Sequence, residues 1–325
     1  MFFFIKNIIF TFLIFSQVIG CGYVMNYILK QNQKNFTFLF INGTMLLIFF
    51  SVVINFFISL NIYLTNTLFI FFALIGIYTI YKKIYYLHNL KLFLFLLIFA
   101  SLIIYRSYPN NDYEFYHIPY MEILRNFKII FGLSNFEFSY GHSLILQNIS
   151  ALQFNSLMNL DSYIYFTPLL VSIIIGEVLF KYIKSNNLLI KFISYIFLIN
   201  FLIHANRYGS LGNDFPAHAV SFFSYILFFS LIFFNKNIEK SSSFIFALLI
   251  AIFSKLTLLL NILLIIPFIL FKKNRLKLDV RSIIFLSLFI FVIFLKNLIN
   301  SSCLLYPLDI TCFKTNWTPA KFDFS

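Results

Sequence analysis

Residues 91–120 read KLFLFLLIFASLIIYRSYPNNDYEFYHIPY. The first part, 91–108, is apolar apart from Lys91 at its start and Arg106 near its end. A helix crosses a bilayer with about 20 apolar residues, in a range of roughly 17–25. The run therefore reads as a membrane helix. Asp112, Glu114, His117, Pro119 and three tyrosines then crowd into the next few positions. That change of composition decides the fold class: helices in lipid, joined to polar segments outside it.

The whole chain supports this. Of its 325 residues 61% are hydrophobic and 11% charged, and the mean hydropathy is +0.90. A soluble domain carries about 25% charged residues, so a water-exposed surface cannot be made from this supply. The expectation is an all-α, polytopic transmembrane bundle whose first partner is membrane lipid. Ten apolar runs predict about ten spans: 7–29, 37–60, 63–81, 91–108, 162–180, 187–205, 215–234, 242–254, 256–271 and 282–299. The eighth and ninth are short and read as two passes meeting near Lys255.

The formal net charge is +13, but the cations fall in short clusters between apolar runs. That is a topology signal and predicts no nucleic-acid partner. One set of alternate loops holds fifteen of the 24 basic residues, from Lys30 and Lys34 through Lys82 and Lys83 to Lys272, Lys273 and Arg281, with only Glu239 and Asp279 as acids. The positive side faces the cytoplasm. The N-terminus, the 109–161 loop and the tail 300–325 are then expected outside. The box Val18-Ile19-Gly20-Cys21 resembles a lipoprotein cleavage site. Cleavage would invert this charge pattern, so Cys21 reads as a small buried residue of the first helix.

The 109–161 loop predicts two helices lying in the membrane interface. Pro119 suits a first-turn position, where its missing N–H is no loss, and Gly132 suits a stop. Between them Tyr120, Ile123, Leu124, Phe127 and Phe131 form an apolar stripe, opposite Glu122, Arg125, Asn126 and Lys128. Such a helix lies in the interface plane. A second candidate runs over 142–157. Residues 112–117 would be the irregular approach to the first.

Several polar residues stand near the same boundary. Asp112, Glu114 and His117 read either as a catalytic cluster or as a solvated loop that cannot enter lipid. His204, Arg207 and His218 flank the short loop before the seventh run, where Asp214 suits a helix cap. Lys255 stands alone in an otherwise nonionic stretch. An ionisable residue in a span is a functional hypothesis by default, against which stands a lysine snorkelling from a helix end. Glu177 lies in the inner half of the fifth run and is expected to pair with a neighbouring helix or to meet the cytoplasmic boundary. Cys303 and Cys312 can form a disulfide or remain two free thiols. No cysteine or histidine spacing signals a metal site.

NDYEFYHIPY, IIFGLSNFEFSYGHS, RYGSLGNDFPAH and the closing KNLINSSCLLYPLDITCFKTNW, taken together, resemble the GT-C type of membrane glycosyltransferases. They look most similar to a group of bacterial multi-pass membrane proteins linked to surface-polysaccharide biosynthesis. The resemblance covers about residues 91–325. It implies a GT-C-like core there, preceded by about three N-terminal spans in 1–90, in a bacterial cell inner membrane. It also implies an enzyme that takes a sugar from a polyprenyl-phosphate-linked donor and adds it to a glycan or lipid acceptor. Asp112 or Glu114 would be the general base, with His117 as a second base, and Asp112 could help hold a divalent Mg or Mn ion. Arg207, Asp214, His218 and Lys255 would hold the substrate and its phosphate. The three extra spans and the early end at Ser325 depart from the pattern. The competing readings are a transporter or flippase, an O-antigen polymerase-like protein, and a membrane subunit without chemistry.

Overall fold

The computed structural model describes residues 2–106, 113–158, 163–204, 214–233, 238–270 and 276–319. Among them the regular structure is helical: α1 (Phe2–Ile28), α2 (Phe36–Phe57), α3 (Ile62–Lys83), α4 (Leu87–Arg106), α5 (Ile118–Asn126), α6 (Ile145–Leu152), α7 (Phe166–Glu177), α8 (Leu188–Ile203), α9 (Asp214–Phe233), α10 (Ile238–Ser254), α11 (Ile266–Leu270) and α12 (Val280–Ser301). Each of the ten apolar runs falls on helix. Six helices, α1–α4, α9 and α12, are long and apolar enough to cross a membrane. Their outward faces carry large bare apolar side chains such as Tyr63, Leu74, Ile98 and Phe291, a surface that suits lipid rather than water.

Asparagine and aspartate punctuate the apolar runs. Asn35, Asn61, Asn187 and Asp279 cap α2, α3, α8 and α12, each accepting a backbone N–H of the first turn. A side-chain acceptor at this position satisfies a donor that the helix itself leaves orphaned.

α1 packs on α2 and α3 with backbone against backbone. A Cβ on Gly76 would lie 1.7 Å from the Ser16 carbonyl oxygen, and one on Gly22 would lie 1.9 Å from that of Leu39. In lipid there is little hydrophobic drive between helices, so small residues that permit close contact do much of the holding. α2 is buried along most of its length and also touches α6, α7, α10 and α12. Residues 1–90 and 91–325 therefore share one core.

The alternate loops gather at opposite ends. At one end Gln31 Nε2 donates to Ser282 Oγ (3.2 Å), Ser242 Oγ donates to Gln31 Oε1 (3.1 Å), and Asn89 Nδ2 donates to the Lys34 carbonyl (2.8 Å). There the fully buried Glu177 accepts from Asn35 Nδ2 (2.9 Å), Thr37 Oγ1 (2.9 Å) and Lys181 Nζ (2.6 Å), and its Oε2 lies 2.8 Å from His88 Nε2. The expected pairing of Glu177 thus ties α2, α4 and α7 together. At the other end the Leu60 N–H donates to the Leu124 carbonyl, and the Ile129 N–H to that of Asn55.

The two helices expected in the 109–161 loop are shorter than the sequence predicts, and the second is buried among other helices. Tyr113–His117 is one π-helical turn rather than irregular backbone. Pro119 opens α5 as expected, but α5 stops at Asn126, well before Gly132. The cause is Asn55: its Nδ2 donates to the Leu124 and Phe127 carbonyls (3.2 and 3.0 Å), so the chain turns extended at Phe127. The second helix spans Ile145–Leu152 instead of 142–157.

α10 ends at Ser254, Lys255 is extended (φ −148°, ψ 114°), and a 3₁₀ helix over Leu256–Ile265 continues into α11. This segment turns back alongside α9. Asn261 bonds Tyr225 Oη (2.5 Å) and Ser221 Oγ (2.8 Å), and Phe268 packs on Phe228 and Phe244. A 3₁₀ helix rises about 2.0 Å per residue against 1.5 Å for an α-helix, which gives this short stretch most of a bilayer's reach.

Replacing Gly76 by Val should push α3 off α1. Overpacking costs about 1–3 kcal/mol, occasionally more. We expect a lowered melting temperature by size-exclusion thermostability, while a truncation on the lipid face, such as Leu74→Ala, leaves it nearly unchanged.

Candidate functional site

Non-helical backbone inside a membrane protein must line protein or water. Here the irregular segments at one end enclose a cavity of 1110 Å³. Its wall is built from several elements: the π-turn with Tyr116 and His117, the segment Ser139–Leu144, the end of α8 with His204, the start of α9 with Asp214 and His218, the break at Lys255, and Leu305–Leu308 of the tail.

The histidines are held by local contacts. Gln147 Nε2 donates to His117 Nδ1 (2.6 Å), which leaves Nε2 as the protonated nitrogen of a neutral ring. Burial pushes the His117 imidazole down to about 4; the opposing pull of Asp214 is smaller. His117 is neutral at pH 7. Burial lowers His142 too, again against Asp214, and its ring meets Tyr306 edge-on at 5.5 Å. His204 Nδ1–H donates to the Asn200 carbonyl (2.9 Å). His218 lies within electrostatic reach of Lys255, Asp214 and His204.

Asp214 is the common partner. Its Oδ2 lies 2.9 Å from Lys255 Nζ, and its charge is felt at His117, His142 and His218. Lys255 is therefore paired rather than simply snorkelling. The structure brings His117, Asp214, His218 and Lys255 to one cavity. It does not bring Glu114, which is exposed and absent from the lining. Asp112 and Arg207 lie outside the described residues.

Four further residues of the wall, His142, Ser143, His204 and Tyr306, receive no site role from sequence reasoning. A hint existed: Gly141 and Pro307 mark backbone turns beside His142 and Tyr306. The Tyr306 ring occupies the space of a Gly141 Cβ, 2.6 Å away. The Cys303 and Cys312 sulfurs are bonded, closing the loop that carries Tyr306. Among the described residues no group of three or more His, Cys, Asp or Glu is arranged to hold a metal ion.

Together these features define an all-helical membrane protein with a polar cavity at one end of its helices. Over residues 1–322 the chain matches the family described as Domain of unknown function (DUF8201), and it belongs to that family. No curated protein and no solved structure matches it.

The low His117 value has a signed consequence. An unfolded histidine takes up a proton near pH 6.5, whereas the folded one resists until about 4. Stability contributed by the neutral ring is full above pH 6.5 and is lost as pH falls towards 4, by about 3 kcal/mol in all. Melting curves between pH 7.5 and about 4.5 should fall more steeply for the wild type than for His117→Gln.

Proposed function

We propose that the chain is a GT-C-type glycosyltransferase of about ten spans, moving a sugar from a polyprenyl-phosphate carrier to a glycan or lipid acceptor at the outer face of a bacterial inner membrane. The observation that carries the reading is the cavity where Lys255 interrupts a membrane-length hairpin and meets Asp214 among four histidines. Its volume, 1110 Å³, lies just above the usual range of small-molecule sites, about 300–1,000 Å³. Its lining joins polar residues to apolar ones of the helices, Phe222, Phe253 and Leu259. That mixture suits a ligand with a polar head and a lipid tail.

Within this reading the candidate base moves from the 112–117 segment to Asp214. Asp214 accepts the proton of an acceptor hydroxyl as its oxygen attacks the anomeric carbon. The bond from that carbon to the phosphate oxygen breaks, and polyprenyl phosphate leaves with the electron pair. The Lys255 ammonium offsets the charge on the leaving phosphate. Neutral His117 supplies a hydrogen-bond donor for a sugar hydroxyl, and His204 lines the same cavity. Asp112, the candidate for a divalent ion, carries no step here. A transporter would also use a broken helix, but Glu177 ties α2, α4 and α7 at the end opposite the cavity, which favours a site reached from one side.

The test is transfer in nanodiscs, using short-chain polyprenyl-phosphate sugars, a panel of glycan acceptors and mass spectrometry. Asp214→Asn should lower turnover by roughly 10²–10⁴-fold, and Lys255→Met should raise the donor KM. Undiminished transfer in both variants, or movement of the lipid across the bilayer without sugar transfer, overturns the reading.

A further inference from the structure

We propose that Lys296 is a positioning residue of the cavity: its Nζ, buried in α12, holds the Ser143–Leu144 turn in a strained conformation that keeps His142 and Ser143 in the wall. The assignment rests on reading the cavity as the site.

Lys296 is 2% exposed, on a helix otherwise poor in charge. A lysine at such a place is costly, and a methionine of similar length would fill the same space. What the amino group meets is specific. Nζ donates to the Ser143 carbonyl and to Asn148 Oδ1 (2.8 Å), and it lies 5.6 Å from the Tyr120 ring centroid. These are a carbonyl, an amide oxygen and a π face, all gathered around one nitrogen.

The peptide so gripped is the one entering Leu144, which has φ 43° and ψ 39°. A bulky side chain is rarely found in the left-handed region, and such strain persists only where the surroundings over-determine it. Leu144 is buried, opens α6 and lines the cavity with Ser139, His142 and Ser143. The neighbouring Asn297 reinforces the grip: its Nδ2 donates to Ser143 Oγ (3.0 Å) and to the Leu304 carbonyl (2.9 Å). One turn of α12 thus holds both the 139–144 segment and the tail loop that carries Tyr306.

The test is a carbethoxylation footprint with diethyl pyrocarbonate on the full chain in nanodiscs, read by mass spectrometry at His142, with His204 on α8 as internal control. Releasing the turn in Lys296→Met should raise the His142 rate about tenfold and leave His204 unchanged. Glycine adopts positive φ without strain. Adding Leu144→Gly to Lys296→Met should therefore bring the His142 rate back towards wild type. A purely space-filling or global role for Lys296 predicts no such rescue. An unchanged His142 rate in folded Lys296→Met, or a double variant no slower than the single one, overturns the assignment. If Lys296→Met is not recovered folded, recovery of monodisperse protein in the double variant supports it, and failure of the double variant overturns it. The footprint needs no substrate, so its outcome is separate from that of the transfer assay.

Discussion

Backbone amides and carbonyls cannot be left bare in hydrocarbon, and the departures from α-helix in this chain occur where something else takes up their bonds. Asn35, Asn61 and Asp279 take the first-turn donors of the helices they cap. Asn55 takes the carbonyls released where α5 ends. Lys296 and Asn297 take the carbonyls of Ser143 and Leu304. The longer irregular stretches border a cavity. Apart from the Glu177 cluster at the opposite end, much of the polar chemistry of a greasy chain gathers there, where its backbone is free to bend.

This constraint also explains what is legible in the sequence. Apolar runs can be recognised by length, and six of the ten expected spans coincide with helices long and apolar enough to cross lipid. Pro119 marks the start of α5, and the isolated Lys255 marks a break. Glu177 pairs across helices, as a buried carboxylate must. The end of α5 is hidden, since the residue that sets it, Asn55, lies some seventy positions earlier. The left-handed Leu144 is hidden as well: leucine does not advertise positive φ, and the strain makes sense only once Lys296 is opposite it. Lys296 itself reads in sequence as one cation near the end of an apolar run, like others that merely reach for the surface.

The candidate site shows the same division. His117, Asp214, His218 and Lys255, all singled out in the sequence, line one cavity, but the sequence weights the acids of 112–117, because they are the densest polar cluster. In three dimensions the shared partner is Asp214, which in sequence is indistinguishable from a helix cap. Its position at the start of α9 serves both ends: the acid is at a helix N-terminus, where negative charge is favoured, and faces the end of α10, where Lys255 emerges. His117 joins them from a remote segment through Gln147 of α6.

The close contacts of α1 have a bearing on biogenesis. α1 touches α2 and α3, its nearest successors in the chain, through glycines that let backbones meet. Contacts between neighbours in sequence form quickly, and chains assemble from the N-terminus as they are synthesised. The first three helices can therefore pair as they leave the translocon, and present later segments with a ready surface. α2 then serves as the template on which α6, α7, α10 and α12 settle, so an error in the early pairing would be inherited by the cavity wall that α12 holds.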